Sequence, residues 1–184
     1  MKRIILASSS PRRIEMMKNN GYEPEIIPAH VDEEILIDIS CEAAAMAMAY
    51  KKAAYISDQI EDDAVIIAAD TIVVYGDEIM GKPVDKDDAY RMLSRLRNSY
   101  HQVMTGVAVI DTEKKIKHCF CDTTDVYFKD YTDEDLIAYI NTEEPYDKAG
   151  GYAIQGTFGK YIDRFEGDYD NVVGFPWYRV KVYL

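Results

Sequence analysis

The chain has 184 residues, 48% of them hydrophobic, and a formal net charge of −12. That length fits one domain or two small lobes sharing a core, and that apolar content excludes a disordered chain. The acidic balance excludes a general binder of nucleic-acid polymers, which needs a basic face, yet a few cations gathered at one place still bind a small phosphorylated ligand.

Arg3 to Ala7 reads as a short buried strand. Its apolar stretch is too short for a signal peptide, and no run approaches a membrane span, so the chain reads as cytoplasmic with no membrane partner. Ser8-Ser9-Ser10-Pro11 opens a helix, with Ser10 as cap and Pro11 at the first helical position. Asn19-Asn20-Gly21 ends it. Tyr22 to Pro28 reads as a second strand, followed by an acidic loop at Asp32, Glu33 and Glu34. An alanine- and methionine-rich helix runs from Ser40 to about Asp58 and suits close packing on a sheet. Ala64 to Ala69 is a partly β-branched apolar run, read as a central strand buried on both faces that ends at Asp70-Thr71.

A hairpin turning near Gly76-Asp77 comes next. After Gly81-Lys82-Pro83, a helix starts near Asp85 and reaches Arg97. Two long strands follow, Tyr100 to Asp111 and Ile116 to Lys129, joined at Thr112-Glu113-Lys114. Thr132 and Asp135 have the spacing of a helix-capping pair for a helix to Ile140. The last forty residues are rich in glycine and aromatics and broken into short elements. Alternating strands and helices followed by a long hairpin predict an α/β fold with a mixed sheet. Cys41, Cys119 and Cys121 contain no C-x-x-C pair and read as free thiols.

Several segments have the residue types that polyphosphate chemistry needs. Ser8 to Arg13 puts hydroxyls and two arginines, Arg12 and Arg13, at a helix N-terminus. Basic residues there oppose the helix dipole, and a bound anion would give them a reason to be present. Asp70 follows an apolar strand, where α/β sheets usually hold ligands, and could hold a divalent metal or take a proton from water. Gly81-Lys82-Pro83 makes Lys82 a positioned cation in a stiff loop. Asp147 to Gly156 gathers acid, base, glycine pair and amide. The Gln155 amide can accept from N3–H and donate to O4 of a uracil or thymine ring. Asn171 to Pro176 is mostly apolar and reads as packing. One of Asp32, Glu33 and Glu34 could reach a metal, and Lys51 or Lys52 a phosphate. His30, His101 and His118 lack metal-ligand spacing, and none is expected to be catalytic.

In order along the chain, Leu6–Arg13, Ala69–Val73, Gly81–Pro83, His101–Val107, Asp147–Gly150, Ile154–Gly156 and Asn171–Gly174 closely resemble the Maf family, the septum-formation-inhibitor-like nucleotide pyrophosphatases. The resemblance covers essentially the whole chain. It implies a single domain over residues 1–184, with two lobes around a central cleft. It also implies an elongated, twisted mixed sheet flanked by helices, similar to inosine triphosphate pyrophosphatases. The implied cofactor is a divalent cation, Mg²⁺ or Mn²⁺, and the implied assembly is a homodimer.

By the same resemblance Asp70 is the catalytic aspartate. Ser8, Arg13, Lys52 and Lys82 handle phosphate, and Glu33 with Asp70 holds the metal. Arg12, Thr71 and Gln155 match the specificity positions of the dTTP/UTP pyrophosphatases. The related 7-methyl-GTP subgroup usually carries a Trp where Arg12 stands. The implied reaction releases pyrophosphate and leaves the nucleoside monophosphate. The competing expectation is a nucleotide-binding regulator of septum formation without turnover. Asn98-Ser99 departs from the Ser-Gly turn usual before the His101 strand.

Overall fold

A computed structural model describes residues 2–32 and 39–184. The strands are β1 (Ile4–Leu6), β2 (Glu25–Ile26), β3 (Val65–Tyr75), β4 (Glu78–Met80), β5 (Tyr100–Asp111), β6 (Ile116–Phe128) and β7 (Ile162–Glu166). The helices are α1 (Pro11–Asn19), α2 (Cys41–Ser57), α3 (Lys86–Leu96), α4 (Asp133–Ile140), α5 (Tyr169–Val173) and α6 (Trp177–Val180). The strands hydrogen-bond in the order β2-β1-β3-β5-β6-β7, with β4 paired to β3. β1 runs parallel to both β2 and β3, whereas β4 and β7 pair antiparallel, so the expected mixed α/β sheet is what forms. None of the helices among the described residues is long and apolar enough to cross a membrane.

The chain forms two compact units, one of residues 1–70, 105–122 and 174–184, the other of 71–104 and 123–173. In the first, strand alternation sorts the core into two layers. Leu6, Val65, Ile67, Ala69, Val107 and Val109 point to one side, where Met17 of α1 and Trp177 and Val180 of α6 cover them. Ile5, Ile66, Ala68, Ala108 and Ile110 point to the other, against Ala49, Ala53 and Ile56 of α2. The small residues of α2 let backbones meet. A β-carbon at Gly106 of β5 would stand 2.2 Å from the Ala45 carbonyl carbon.

In the second unit, α3 and α4 bury Ala89, Leu93, Leu96, Leu136, Tyr139 and Ile140 with Val73, Val103, Val126 and Phe128. Asp125 and Tyr127, on the alternate face of β6, stay partly exposed. Thr132 caps α4 in a complete capping box with Asp135, and Asp85 caps α3. Asn98 takes a φ of 50° in the turn before β5, a left-handed conformation that Asn tolerates better than most residues.

Three expectations change. The strand expected at Tyr22–Pro28 shrinks to Glu25–Ile26. Pro24 and Pro28 bracket it, and proline has no N–H to give a ladder. Ser10 stands at the N-cap of α1 but its side chain makes no capping bond among the described residues; instead its N–H donates to Ser8 Oγ at 3.2 Å. The strand expected to end at Asp70 continues to Tyr75 and makes Asp70 the sixth of its eleven residues.

Candidate active site

Asp70 occupies a special place although its strand does not stop there. The parallel pairing of β1 with β3 has Leu6 opposite Ile67, and the Ala7 N–H donates to the Ile67 carbonyl at 2.8 Å. Beyond that point β1 has left β3, so Asp70 lies past the carboxyl end of the parallel segment, where open α/β sheets hold ligands. Strand alternation puts Asp70 on the same side as Ile66 and Ala68, the side that α2 covers. Lys52 borders the apolar stripe of α2, one helical turn from Ala49 and Ile56. Its Nζ donates to Asp70 Oδ1 at 2.7 Å, with side-chain exposures of 14% and 19%.

Arg13 is anchored by backbone carbonyls. Its Nε donates to the Gly174 carbonyl at 2.8 Å and its Nη1 to the Ala69 carbonyl at 2.8 Å. Nη1 also lies 3.2 Å from Ser8 Oγ, which is itself nearly buried. These acceptors give the guanidinium hydrogen-bond partners of its own at the positive end of α1. The guanidinium is thereby fixed beside the Ala69-Asp70 peptide. The first unit therefore brings Ser8, Arg13, Lys52 and Asp70 together. Arg12 is exposed on the first turn of α1. Glu33 lies outside the described residues. Asp32 is exposed, and its carbonyl accepts from Lys51 Nζ at 2.6 Å.

Within the second unit, Thr71 follows Asp70 on β3 and takes the opposite face of the strand. Lys82 is exposed in the loop after β4, and Gln155 is exposed in a turn. The loops that carry these two are joined. The Gly150 N–H donates to the Gly81 carbonyl at 3.0 Å, and a β-carbon on Gly151 would stand 3.2 Å from Pro83 Cγ. Tyr139 Oη donates to the Gly151 carbonyl at 3.1 Å.

His101 is buried, stacks on Phe128, and lies 2.5 Å by Nε2 from the Tyr152 hydroxyl. Burial pushes its pKa down to about 3, which keeps the ring neutral at ordinary pH. Its ring packs against Phe128 and Tyr152 inside this unit. Asn171 is buried as well and donates to the Val103 carbonyl and to Thr124 Oγ1, at 3.0 and 2.9 Å. That fits the packing role read for its segment, but Gly174 adds a function the sequence did not reveal, because its carbonyl aims Arg13.

The family model described as Maf-like protein matches residues 3–184. The dTTP/UTP pyrophosphatase of Alkaliphilus oremlandii (strain OhILAs) is 44% identical over 184 residues, covering 100% of this chain and 95% of that protein. The dTTP/UTP pyrophosphatase of Caldicellulosiruptor bescii is 43% identical, covering 100% and 94%. That of Geobacillus sp. (strain WCH70) is 43% identical, covering 96% and 93%. Among solved structures, a HAM1 protein from Coxiella burnetii superposes with a TM-score of 0.45 at 13% identity, over 70% of this chain and 73% of that one. A likeness of that size carries no weight for function.

Proposed function

The chain belongs to the Maf family, and from that premise we propose that it is a nucleoside triphosphate pyrophosphatase hydrolysing dTTP and UTP to the monophosphate and pyrophosphate. The observation that carries this reading is the Lys52–Asp70 contact beside the anchored Arg13: a carboxylate and two cations held at one point of β3. A protein that only bound an anion would have little need of a carboxylate beside its cations. Hydrolysis needs one, to orient a water and take its proton.

Water adds to the α-phosphorus, the bond to the bridging oxygen breaks, and pyrophosphate leaves with the electron pair. Asp70 takes the proton that water gives up. Lys52 transfers from Asp70 to the incoming polyphosphate, which frees the carboxylate as the substrate arrives. Arg13, anchored on the Gly174 and Ala69 carbonyls, contributes its charge to the phosphates. Lys82 adds a further phosphate contact, and Ser8 keeps Arg13 and the Ser10 N–H in register. Gln155, with Arg12 and Thr71, reads the pyrimidine. A site that hydrogen-bonds a base edge rejects the wrong base because its own groups are left unpaired.

A divalent cation, Mg²⁺ or Mn²⁺, belongs to the proposal. Among the described residues no group of three or more His, Cys, Asp or Glu is gathered as a cage. Magnesium held by one or two carboxylates and by phosphate oxygens needs no cage, and the oxygen donor of Asp70 suits it. Glu33 would hold the ion, joined by Asp70 in the alternative where Asp70 is a ligand and not the base, and the ion when bound neutralises charge on the phosphates. A homodimer and a cytoplasmic location complete the proposal, and the net charge of −12 supports a nucleotide rather than a nucleic-acid polymer as partner.

The test is a panel of dTTP, UTP, CTP, GTP and ATP, with and without Mg²⁺, followed by chromatography of the products. Equal amounts of monophosphate and pyrophosphate from dTTP and UTP are expected. Nucleotide binding without turnover would favour the regulator, and release of single phosphates would end the pyrophosphatase reading.

A further inference from the structure

Gln155 is exposed, so core packing does not set where its amide points. Its backbone must do that. Ala153 to Gly156 form a tight turn, closed by the Gly156 N–H to the Ala153 carbonyl at 2.9 Å, with Gln155 in its third position. Beyond the turn stands one carboxylate, Glu144. Its Oε1 accepts the Thr157 N–H at 2.9 Å and its Oε2 accepts the Thr157 hydroxyl at 2.8 Å. Tyr139 Oη, whose proton goes to the Gly151 carbonyl, lies 3.4 Å from the same carboxylate. The carboxylate lies so close to the turn that a β-carbon on Gly156 would stand 2.0 Å from Oε1.

We propose that Glu144 is a positioning residue for nucleobase selection: its two-point grip on Thr157 fixes the turn that aims Gln155. This rests on Gln155 reading the pyrimidine. Hydrogen bonds to an ionised acceptor are stronger than neutral ones, and two of them on one residue fix an orientation as well as a distance. A base reader discriminates only when its donor and acceptor are held within a fraction of an ångström. A free turn would let the Gln155 amide rotate or shift to suit cytosine. Glutamine at 144 would still accept the Thr157 N–H and could donate to the hydroxyl, so it should keep the grip; alanine would not.

The experiment measures kcat and KM for UTP and CTP in the wild type, Gln155→Ala, Glu144→Ala, Glu144→Gln and Thr157→Val, with amide hydrogen exchange at Thr157. Glu144→Ala should lower the UTP-over-CTP preference by about tenfold, carried by KM for UTP, with kcat within about twofold of wild type. Its Thr157 amide should exchange faster, and Glu144→Gln should retain most of the preference. Thr157→Val removes only the hydroxyl bond and should cost about threefold in preference, a result that stands alone should Glu144→Ala not fold. If Gln155→Ala abolishes the preference while Glu144→Ala and Thr157→Val keep it, the role of Glu144 is refuted and base reading by Gln155 survives. If Gln155→Ala keeps the preference, the base-reading assignment falls and takes the Glu144 proposal with it.

Discussion

Lys52 Nζ and Asp70 Oδ1 are 2.7 Å apart, across eighteen residues of sequence. The contact exists because α2 covers the face of β3 to which even-numbered residues point, and because Lys52 borders the apolar stripe of that helix. Asp70→Asn keeps the shape and an acceptor for Lys52, so the fold should survive while the proton acceptor is lost. The expected fall in kcat/KM for dTTP is about 10²- to 10⁴-fold, with an unchanged melting temperature. A normal rate with normal metal affinity would remove Asp70 from the mechanism.

Arg13 spans two carbonyls that lie far apart in the chain, Ala69 and Gly174. A lysine ammonium is a single point on a flexible stem and cannot reproduce the planar fork. Arg13→Lys should therefore lose one carbonyl bond and destabilise the protein by about 1–3 kcal/mol, measured by urea unfolding. KM for dTTP should rise by about tenfold as the cation loses its fixed position. An unchanged unfolding midpoint would mean that the carbonyl contacts contribute nothing net.

What was legible in the sequence was set by neighbours along the chain. Ser40, Asp85 and the Thr132–Asp135 pair announce helix starts because capping is local. The apolar run at Ala64–Ala69 announces a buried strand for the same reason. The continuation of β3 through Asp70 was not legible, since a polar pair after an apolar run looks like a strand end. Only the departure of β1 near Ala7 gives Asp70 its position. Gly174 and Glu144 were missed because they act through contacts that folding alone creates. Gly174 serves Arg13 from 161 residues away, and nothing about a lone glutamate foretells its grip on Thr157.

His101 gives stability a pH dependence. Its folded pKa, pushed down to about 3 by burial, lies below the usual value of 6.5. Between those values the unfolded chain binds a proton that the folded chain refuses, so stability falls as pH drops below about 6.5. Nδ1 has no hydrogen-bond partner among the described residues, so a proton there would gain nothing. At pH 5 the loss from this group is about 2 kcal/mol relative to pH 8. Denaturant unfolding of wild type and His101→Gln at both pH values checks it. The variant should be less stable at pH 8 but show a smaller drop on acidification. Equal drops would assign the acid sensitivity elsewhere.

Gly150 is where the loops of Lys82 and Gln155 meet. Its φ is 71°, its N–H donates to the Gly81 carbonyl, and a β-carbon there would stand 2.9 Å from Val73 Cγ1. Gly150→Ala would meet both a left-handed backbone penalty and a stiff β-branched neighbour, about 2–4 kcal/mol together. Relief by backbone movement would lengthen the bond to Gly81 and shift Lys82, raising KM for dTTP and UTP alike. Gly21 separates the two effects: its φ is 84° with nothing within 4 Å of a β-carbon. Gly21→Ala should cost about 1 kcal/mol of stability and leave KM unchanged. Adding Val73→Ala to Gly150→Ala removes the clashing methyls and should recover part of the KM, although the new cavity lowers stability further. If Gly150→Ala unfolds more easily but binds nucleotide normally, Gly150 serves packing alone, and the link between the two loops has no part in substrate binding.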